Sequence, residues 1–294
     1  LCFIFNISNI FPIGGPSALD VTTEEREREY ENRWYTGGLG LMGAFQDLQV
    51  NQASNETAAE FVRSKIRKIV KDPEVARKLS PTNTFGCKRL CVATNYYETY
   101  NRDNISLIDL NDTPIKCITA NGVRTTKRDY GVDILILATG FDAMTGALNR
   151  INIQGTNGQK LTDTWRNGPI SYLGLAVNGF PNMFTITGPG SPSVLTNMIP
   201  TIEQHVNWIG ACLAAMSKKN ATRIEATKSA QSEWVAYNAG LADKSLRVTC
   251  NSWYLGANVS GKARVFMPFV GGLPMYIEKC EEVVREDYKG FVIT

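Results

Sequence analysis

The sequence has one histidine in 294 residues, His205. That count sets aside a Ser-His-Asp triad and a histidine-rich metal site. Its setting, IEQHVNWI, reads as a polar position on an amphipathic helix. The seven cysteines are odd in number and scattered. Cys87 and Cys91 form the only close pair, and no second pair matches it, which argues against a zinc site or a disulfide framework. Reduced thiols and a cytoplasmic setting are therefore expected. No apolar run reaches the roughly 18–20 residues that a membrane helix needs. The apolar opening, LCFIFNISNIFPIGG, lacks a basic leader, a cleavage site and an initiator Met, so the chain reads as a fragment or a truncated product. A formal net charge of +3 is too small to imply nucleic-acid binding. A dinucleotide fingerprint is also missing. The one G-x-G-x-x-G, at Gly38, Gly40 and Gly43, follows a helical stretch and reads as a loop between helices.

What remains is ordinary for a globular chain, with 43% hydrophobic and 20% charged residues. Residues 20–80 read as helical, with Thr22 or Thr23 as first cap, Asn55 capping a second helix, and Pro73 opening a third. After Pro81 the pattern changes to short strands: KRLCVAT, ISLIDL, a hairpin turning at Asn121-Gly122, and VDILILATG. Further strands are expected at YLGLAV and NMFTIT. A long helix is expected over about 194–216, a second over 225–243 and a third near 275–287. Strands mixed with helices indicate an α/β fold.

Two places in this pattern suit a ligand. ILIL is apolar throughout, as in a strand buried on both faces, and it runs into Thr139-Gly140 and then Asp142. Glycine lets a ligand approach the backbone, and α/β sheets bind ligands at the carboxyl ends of their strands. NMFTITGPGSPSVL repeats the design at Gly188, Pro189 and Gly190, with Ser193 or Thr196 placed to cap the next helix, where an anionic group would be welcome. Lys88 and Arg89 stand side by side before a strand, so they should face opposite sides. Trp253 lies in a glycine-rich stretch that reads as an ordered irregular loop.

The run from Ile136 to Ile209, together with SWYLGANVSGKARVFMPFVGG and NYYETYNRDNISLIDL, resembles Baeyer–Villiger flavin monooxygenases of the cyclohexanone and phenylacetone type. The resemblance covers nearly the whole chain. It implies part of a flavoprotein with two dinucleotide-binding domains and a helical insertion: residues 1–84 as the insertion, 85–128 as the returning part of the NADP domain, and 129–294 as the carboxyl half of the FAD domain. It implies FAD and NADPH as cofactors, a ketone and O2 as substrates, and insertion of oxygen through a flavin C4a-peroxide to give an ester or lactone. A monomer is implied for the complete enzyme. By position, Arg89 resembles the active-site arginine, Lys88 the residue meeting the NADPH 2′-phosphate, and Trp253 the tryptophan of a loop over the nicotinamide cofactor. Thr139, Gly140, Phe141 and Asp142 match the motif beside the flavin. Gly188, Pro189 and Met198 match its border, and Ser193, Val194 and Leu195 the substrate pocket. The family's amino-terminal glycine motifs for FAD and NADP are not in this sequence. A flavin monooxygenase acting on nitrogen or sulfur, or a non-catalytic remnant, are the alternatives.

Overall fold

The first helix, α1 (Thr23–Thr36), begins where a side chain and a backbone exchange hydrogen bonds. Thr22 Oγ1 accepts from Glu25 N at 3.2 Å, and the Glu25 carboxylate accepts from Thr22 N at 3.0 Å. The reciprocal pair satisfies donors that the first turn would otherwise leave open. The computed structural model describes residues 15–294, so the apolar opening at positions 1–14, with Cys2, lies outside the described residues. Helices α2 (Gln52–Ile69) and α3 (Pro73–Leu79) follow, α3 capped by Asp72.

The cap of α2 corrects the sequence expectation. Asn51 accepts from Ala53 N and Ser54 N, while Asn55 lies buried inside the first turn. There its amide donates to Leu48 O at 2.7 Å and Phe85 O at 2.8 Å and accepts from Phe85 N at 2.9 Å. Asn55 thus joins the helical half to residue 85, next to Lys88 and Arg89. Tyr30, Phe45, Leu48, Phe61 and Phe85 form the core of this half. The Gly38–Gly43 stretch is a turn between helices, as expected, closing as one 3-10 turn at Gly40–Gly43.

The expected hairpin is present: β1 (Ile115–Thr119) pairs antiparallel with β2 (Gly122–Thr125), with Thr119 opposite Gly122, and β2 pairs with β3 (Asp129–Gly131). Gly122 has no alternative, because a Cβ there would lie 2.0 Å from Tyr130 O. A second small sheet joins β4 (Ile224–Ala226) to β5 (Phe291–Ile293), again antiparallel.

Several expected strands do not form. KRLCVAT, ISLIDL, ILIL, YLGLAV and NMFTIT have no ladder beyond an isolated bridge from Tyr172 to Ala176. Ile134 is 79% exposed and Ile136 83%, so ILIL is not the doubly buried strand that its composition implied. A strand needs a neighbour for its backbone groups, and no described residue provides one at that edge. YLGLAV is buried all the same, within the second core.

That second core packs against three helices: α4 (Met198–Lys218), α5 (Lys228–Ala242) and α6 (Gly272–Arg285). Helix α4 starts later than expected. Asn197 is its cap, accepting from Ile199 N, whereas Ser193 lies in a separate 3-10 turn and Thr196 hydrogen-bonds to Thr201. Within this core Trp208 donates to Cys280 O at 3.1 Å, and Trp234 stacks on Phe269 with centroids 5.3 Å apart.

The thiols also depart from expectation. Cys87 is joined to Cys250 by a disulfide across 163 residues of sequence, with Cα atoms 6.1 Å apart. Spacing arguments detect close pairs only, and this one is made by tertiary packing. Cys91 and Cys117 are free and exposed, Cys212 and Cys280 free and buried.

His205 is the largest correction, being fully buried rather than on a polar helix face. Its Nδ1 accepts from Thr187 N at 2.9 Å, which requires the neutral ring protonated at Nε2. Nε2 lies 2.9 Å from the Tyr276 hydroxyl, which in turn donates to Leu173 O at 2.6 Å. Thr187 has φ 52°, a left-handed value that a β-branched residue rarely adopts without such support. Burial lowers the His205 pKa from 6.5 to about 4.

Two measurements test these connections. Asn55→Ala leaves three backbone groups at residues 48 and 85 without their side-chain partner and should cost about 2–4 kcal/mol in urea unfolding. For His205, the folded pKa lies below the unfolded one. Between pH 6.5 and about 4 the unfolded chain takes up a proton that the folded chain refuses. Stability should therefore fall as pH drops through that window, by roughly 3 kcal/mol in total, and level off below it. His205→Gln should flatten this part of the profile. An unchanged slope in the variant would assign the acid loss to other groups.

Candidate functional site

Four segments meet on one side of the molecule: 88–89, 139–144, 188–195 and 253–262. The 188–195 segment is fixed from behind. Gly190 N donates to Met267 O at 2.7 Å, and Trp234 Nε1 donates to Gly190 O at 3.0 Å. Ser171 Oγ donates to Pro189 O at 2.5 Å. Gly188 is buried and tightly packed: a Cβ there would lie 2.4 Å from Thr185 Oγ1. Beyond this turn, Ser193, Val194 and Leu195 form one 3-10 turn, with Ser193 at φ 42°.

Arg89 reaches this turn directly, its Nη1 donating to Val194 O at 2.8 Å. The guanidinium is exposed and has no carboxylate partner among the described residues. Beneath it, Tyr254 is buried, packed under Trp253 with ring centroids 4.3 Å apart. Burial raises the Tyr254 pKa, while the charges of Arg247 and Arg89 act in the opposite direction, so both cations are close to its hydroxyl. Arg247 donates to Gly86 O at 3.3 Å. Lys88 points into solvent and likewise has no ion pair among the described residues.

The 139–144 segment is held by the loop after Trp253. Lys262 Nζ lies 2.5 Å from Asp142 Oδ1 and donates to Ala143 O at 2.8 Å. Asn258 donates to Phe141 O at 2.7 Å. Asp142 is thus a half-buried anchor for the glycine-rich loop. Met144 Sδ lies 3.9 Å from Ser193 Oγ, so the two glycine-bearing segments touch just beyond their glycines. Gly140 has φ 81° and nothing within 4 Å of the position a Cβ would take. The backbone there is open to close approach, and Phe141 beside it is 89% exposed.

The structure therefore brings Arg89, Val194 and Trp253 together, and it brings Asp142 and Ser193 to the same side. Lys88, Thr139 and Met198 make no side-chain hydrogen bond to the others. Sequence reasoning missed Lys262, Tyr254 and Arg247. Lys262 lies in the quoted GKAR stretch, but its partner is 120 residues away, and no local pattern signals the pair. Among the described residues there is no cluster of metal-binding side chains, and no helix is long and apolar enough to cross a membrane.

No family model matches the chain. Individual proteins do. The phenazine N-monooxygenase PhzNO1 of Lysobacter antibioticus is 41% identical over 286 residues, which is 96% of this chain and 52% of that protein. A Baeyer–Villiger monooxygenase of Pseudooceanicola batsensis is 39% identical over 272 residues, 92% of this chain and 49% of that protein. Among solved structures, that of OTEMO in complex with FAD and NADP superposes with a TM-score of 0.92 at 37% identity, covering 96% of this chain and 52% of that one. The chain spans about half the length of the relatives it matches. In sequence and in backbone, over nearly all of its residues, the chain is similar to Baeyer–Villiger monooxygenases.

Proposed function

We propose that this chain is the carboxyl-terminal half of an FAD- and NADPH-dependent monooxygenase that inserts one oxygen atom of O2 into a ketone to give an ester or lactone. On that reading residues 1–84 are the helical insertion, 85–128 the returning part of the NADP domain, and 129–294 the carboxyl half of the FAD domain. The observation that carries it is Arg89: a guanidinium with no carboxylate partner among the described residues, held by Val194 O where the four segments meet.

The residues present fit the cofactors. At Gly140 the open space and the exposed Phe141 suit a flat, largely apolar ring laid against the backbone. Thr139, Gly140, Phe141 and Asp142 would border the flavin from one segment, and Gly188, Pro189 and Met198 from the other. Lys88 offers a charge for the NADPH 2′-phosphate, and Trp253 a ring for the nicotinamide side. When bound, the two cofactors supply the reducing electrons and activate O2. The chain's own contribution is positioning and charge. Arg89 stabilises the negative charge that develops on the ketone oxygen as the carbonyl carbon becomes tetrahedral. The Val194 carbonyl fixes the direction of that guanidinium, and the apolar Val194 and Leu195 with Ser193 shape the wall met by the ketone. The Lys262–Asp142 pair keeps the Trp253 loop and the flavin-bordering segment in register.

Oxygenation at nitrogen is the second reading, favoured by the similarity to a phenazine N-monooxygenase. Arg89 separates the two, because attack on a ring nitrogen forms no tetrahedral alkoxide for it to stabilise. In the full-length enzyme, Arg89→Ala should lower ester formation by about 10²–10³-fold while NADPH oxidation persists. Normal ester yield would remove Arg89 from this role, and phenazine oxidation without any ketone conversion would establish the second reading. Lys88→Ala should raise the KM for NADPH by about tenfold or more and leave that for NADH unchanged. Equal effects on both would remove the phosphate assignment.

A further inference from the structure

The Cys87–Cys250 disulfide joins two segments that have little regular structure of their own. Around it the contact between them is thin. Leu246 N donates to Gln49 O at 2.8 Å, the hydroxyls of Thr249 and Thr84 lie 3.0 Å apart, and Arg247 donates to Gly86 O at a long 3.3 Å. Arg89 follows Cys87 by two residues, and Trp253 follows Cys250 by three. The bridge therefore closes the seam between the helical half and the half built on α4, α5 and α6, directly beside Arg89 and the Trp253 loop.

Two groups near Cys87 favour a negative sulfur there. Asn83 Nδ2 lies 3.4 Å from its Sγ. Arg247, held on the carbonyl of the preceding residue, is half-buried and has no carboxylate partner among the described residues. Burial pushes the Arg247 pKa below its usual value, and no carboxylate opposes that push. A cation so placed lacks a counter-charge, which a thiolate at Cys87 would supply. Donors and cations beside a cysteine lower its pKa, and a sulfur that is more stable as a thiolate leaves a disulfide faster. Access is unequal as well, because Cys87 is fully buried and Cys250 is partly exposed. Attack at Cys87 is closed off, and attack at Cys250 expels Cys87, the better leaving group.

We propose that Cys87–Cys250 is a thiol–disulfide exchange site, opened by a dithiol reductant, and that its opening releases the Arg89 segment from the Trp253 loop. One thiolate of the reductant attacks Cys250 Sγ, the bond to Cys87 breaks, and its electron pair leaves on Cys87. The second thiolate of the reductant then attacks the reductant's own sulfur in the mixed disulfide and expels Cys250. Net, the dithiol is oxidised to a disulfide, and its two electrons and two protons end on the two cysteines. The exchange is independent of the reaction proposed above, and only its effect on the Arg89 site rests on that reading.

The purified chain, without reductant, should yield the Cys87 and Cys250 peptides as one linked pair in mass spectrometry. Dithiothreitol added to the folded protein should open both cysteines to iodoacetamide well before global unfolding, whereas the exposed Cys91 and Cys117 react with or without it. Hydrogen exchange should then quicken in residues 86–91 and 246–262 and stay slow in α4 and α6, and the Tm should fall by about 5–10 °C. Cys250→Ser should show the quickened exchange from the start and give no response to dithiothreitol. Arg247→Gln and Asn83→Ala should each slow the reduction about threefold or more, with thermal unfolding as the check that each is folded. Labelling of Cys87 and Cys250 only at the rate of global unfolding makes the bridge a structural staple and overturns the proposal. Reduction that leaves exchange in the two segments unchanged overturns it too, as does an unaltered rate in both folded variants. If reduction behaves as expected but ketones are not oxygenated, the exchange site stands and the reaction assignment falls.

Discussion

The 187–191 turn is held by hydrogen-bond partners that come from distant parts of the chain. His205 accepts its first amide, Ser171 donates to its proline carbonyl, Trp234 donates to its glycine carbonyl, and Met267 accepts from Gly190 N. None of these bonds belongs to a regular helix or sheet ladder. The turn contains the left-handed Thr187 and Gly190, so its backbone cannot join a ladder and must be satisfied one group at a time. Its rigidity thus depends on helices α4, α5 and α6 all being in place, with Tyr276 of α6 bearing on the His205 ring. The residues at 193–195, which we propose border the substrate, inherit their positions from this support.

A second constraint acts from the opposite side. The loop from Trp253 to Lys262 has little regular structure of its own, yet it reaches the 141–143 segment through Lys262 and Asn258. The same loop begins just after Cys250, which is bonded to Cys87, two residues before Arg89. The loop is therefore connected at both ends: covalently to the segment of Arg89, and by an ion pair to the 141–143 segment. Between those fixed ends lie Gly256 and Gly261, both at left-handed φ, which turn the backbone where a β-carbon would be strained.

The helices were legible because their signals are local. Thr22 with Glu25, Pro73 after Asp72, and the Asn121-Gly122 hairpin each carry the chemistry of their own turn. Asn51 and Asn55 show the limit: both can cap, and only the packing of residue 85 against the helix decides which one does. ILIL shows a different limit. Composition says what a segment prefers to be buried in, but strand formation also needs a partner, and that information is not in the segment. The glycine turns and Arg89 stood out in sequence because an unusual residue marked each. His205, Arg247 and Lys262 did not, because their meaning lies in partners tens to hundreds of residues away.

The exposed stretch Ile134–Leu137 has a practical consequence. Its main-chain amides and carbonyls are outside any ladder, and apolar side chains alternate on both of its faces. Such a stretch is a template onto which another extended chain can add, including the same stretch of a neighbouring molecule. Concentrated solutions of this polypeptide on its own are thus prone to self-association through residues 134–137, and a charged residue introduced at Ile136, the most exposed of them, is the simplest remedy.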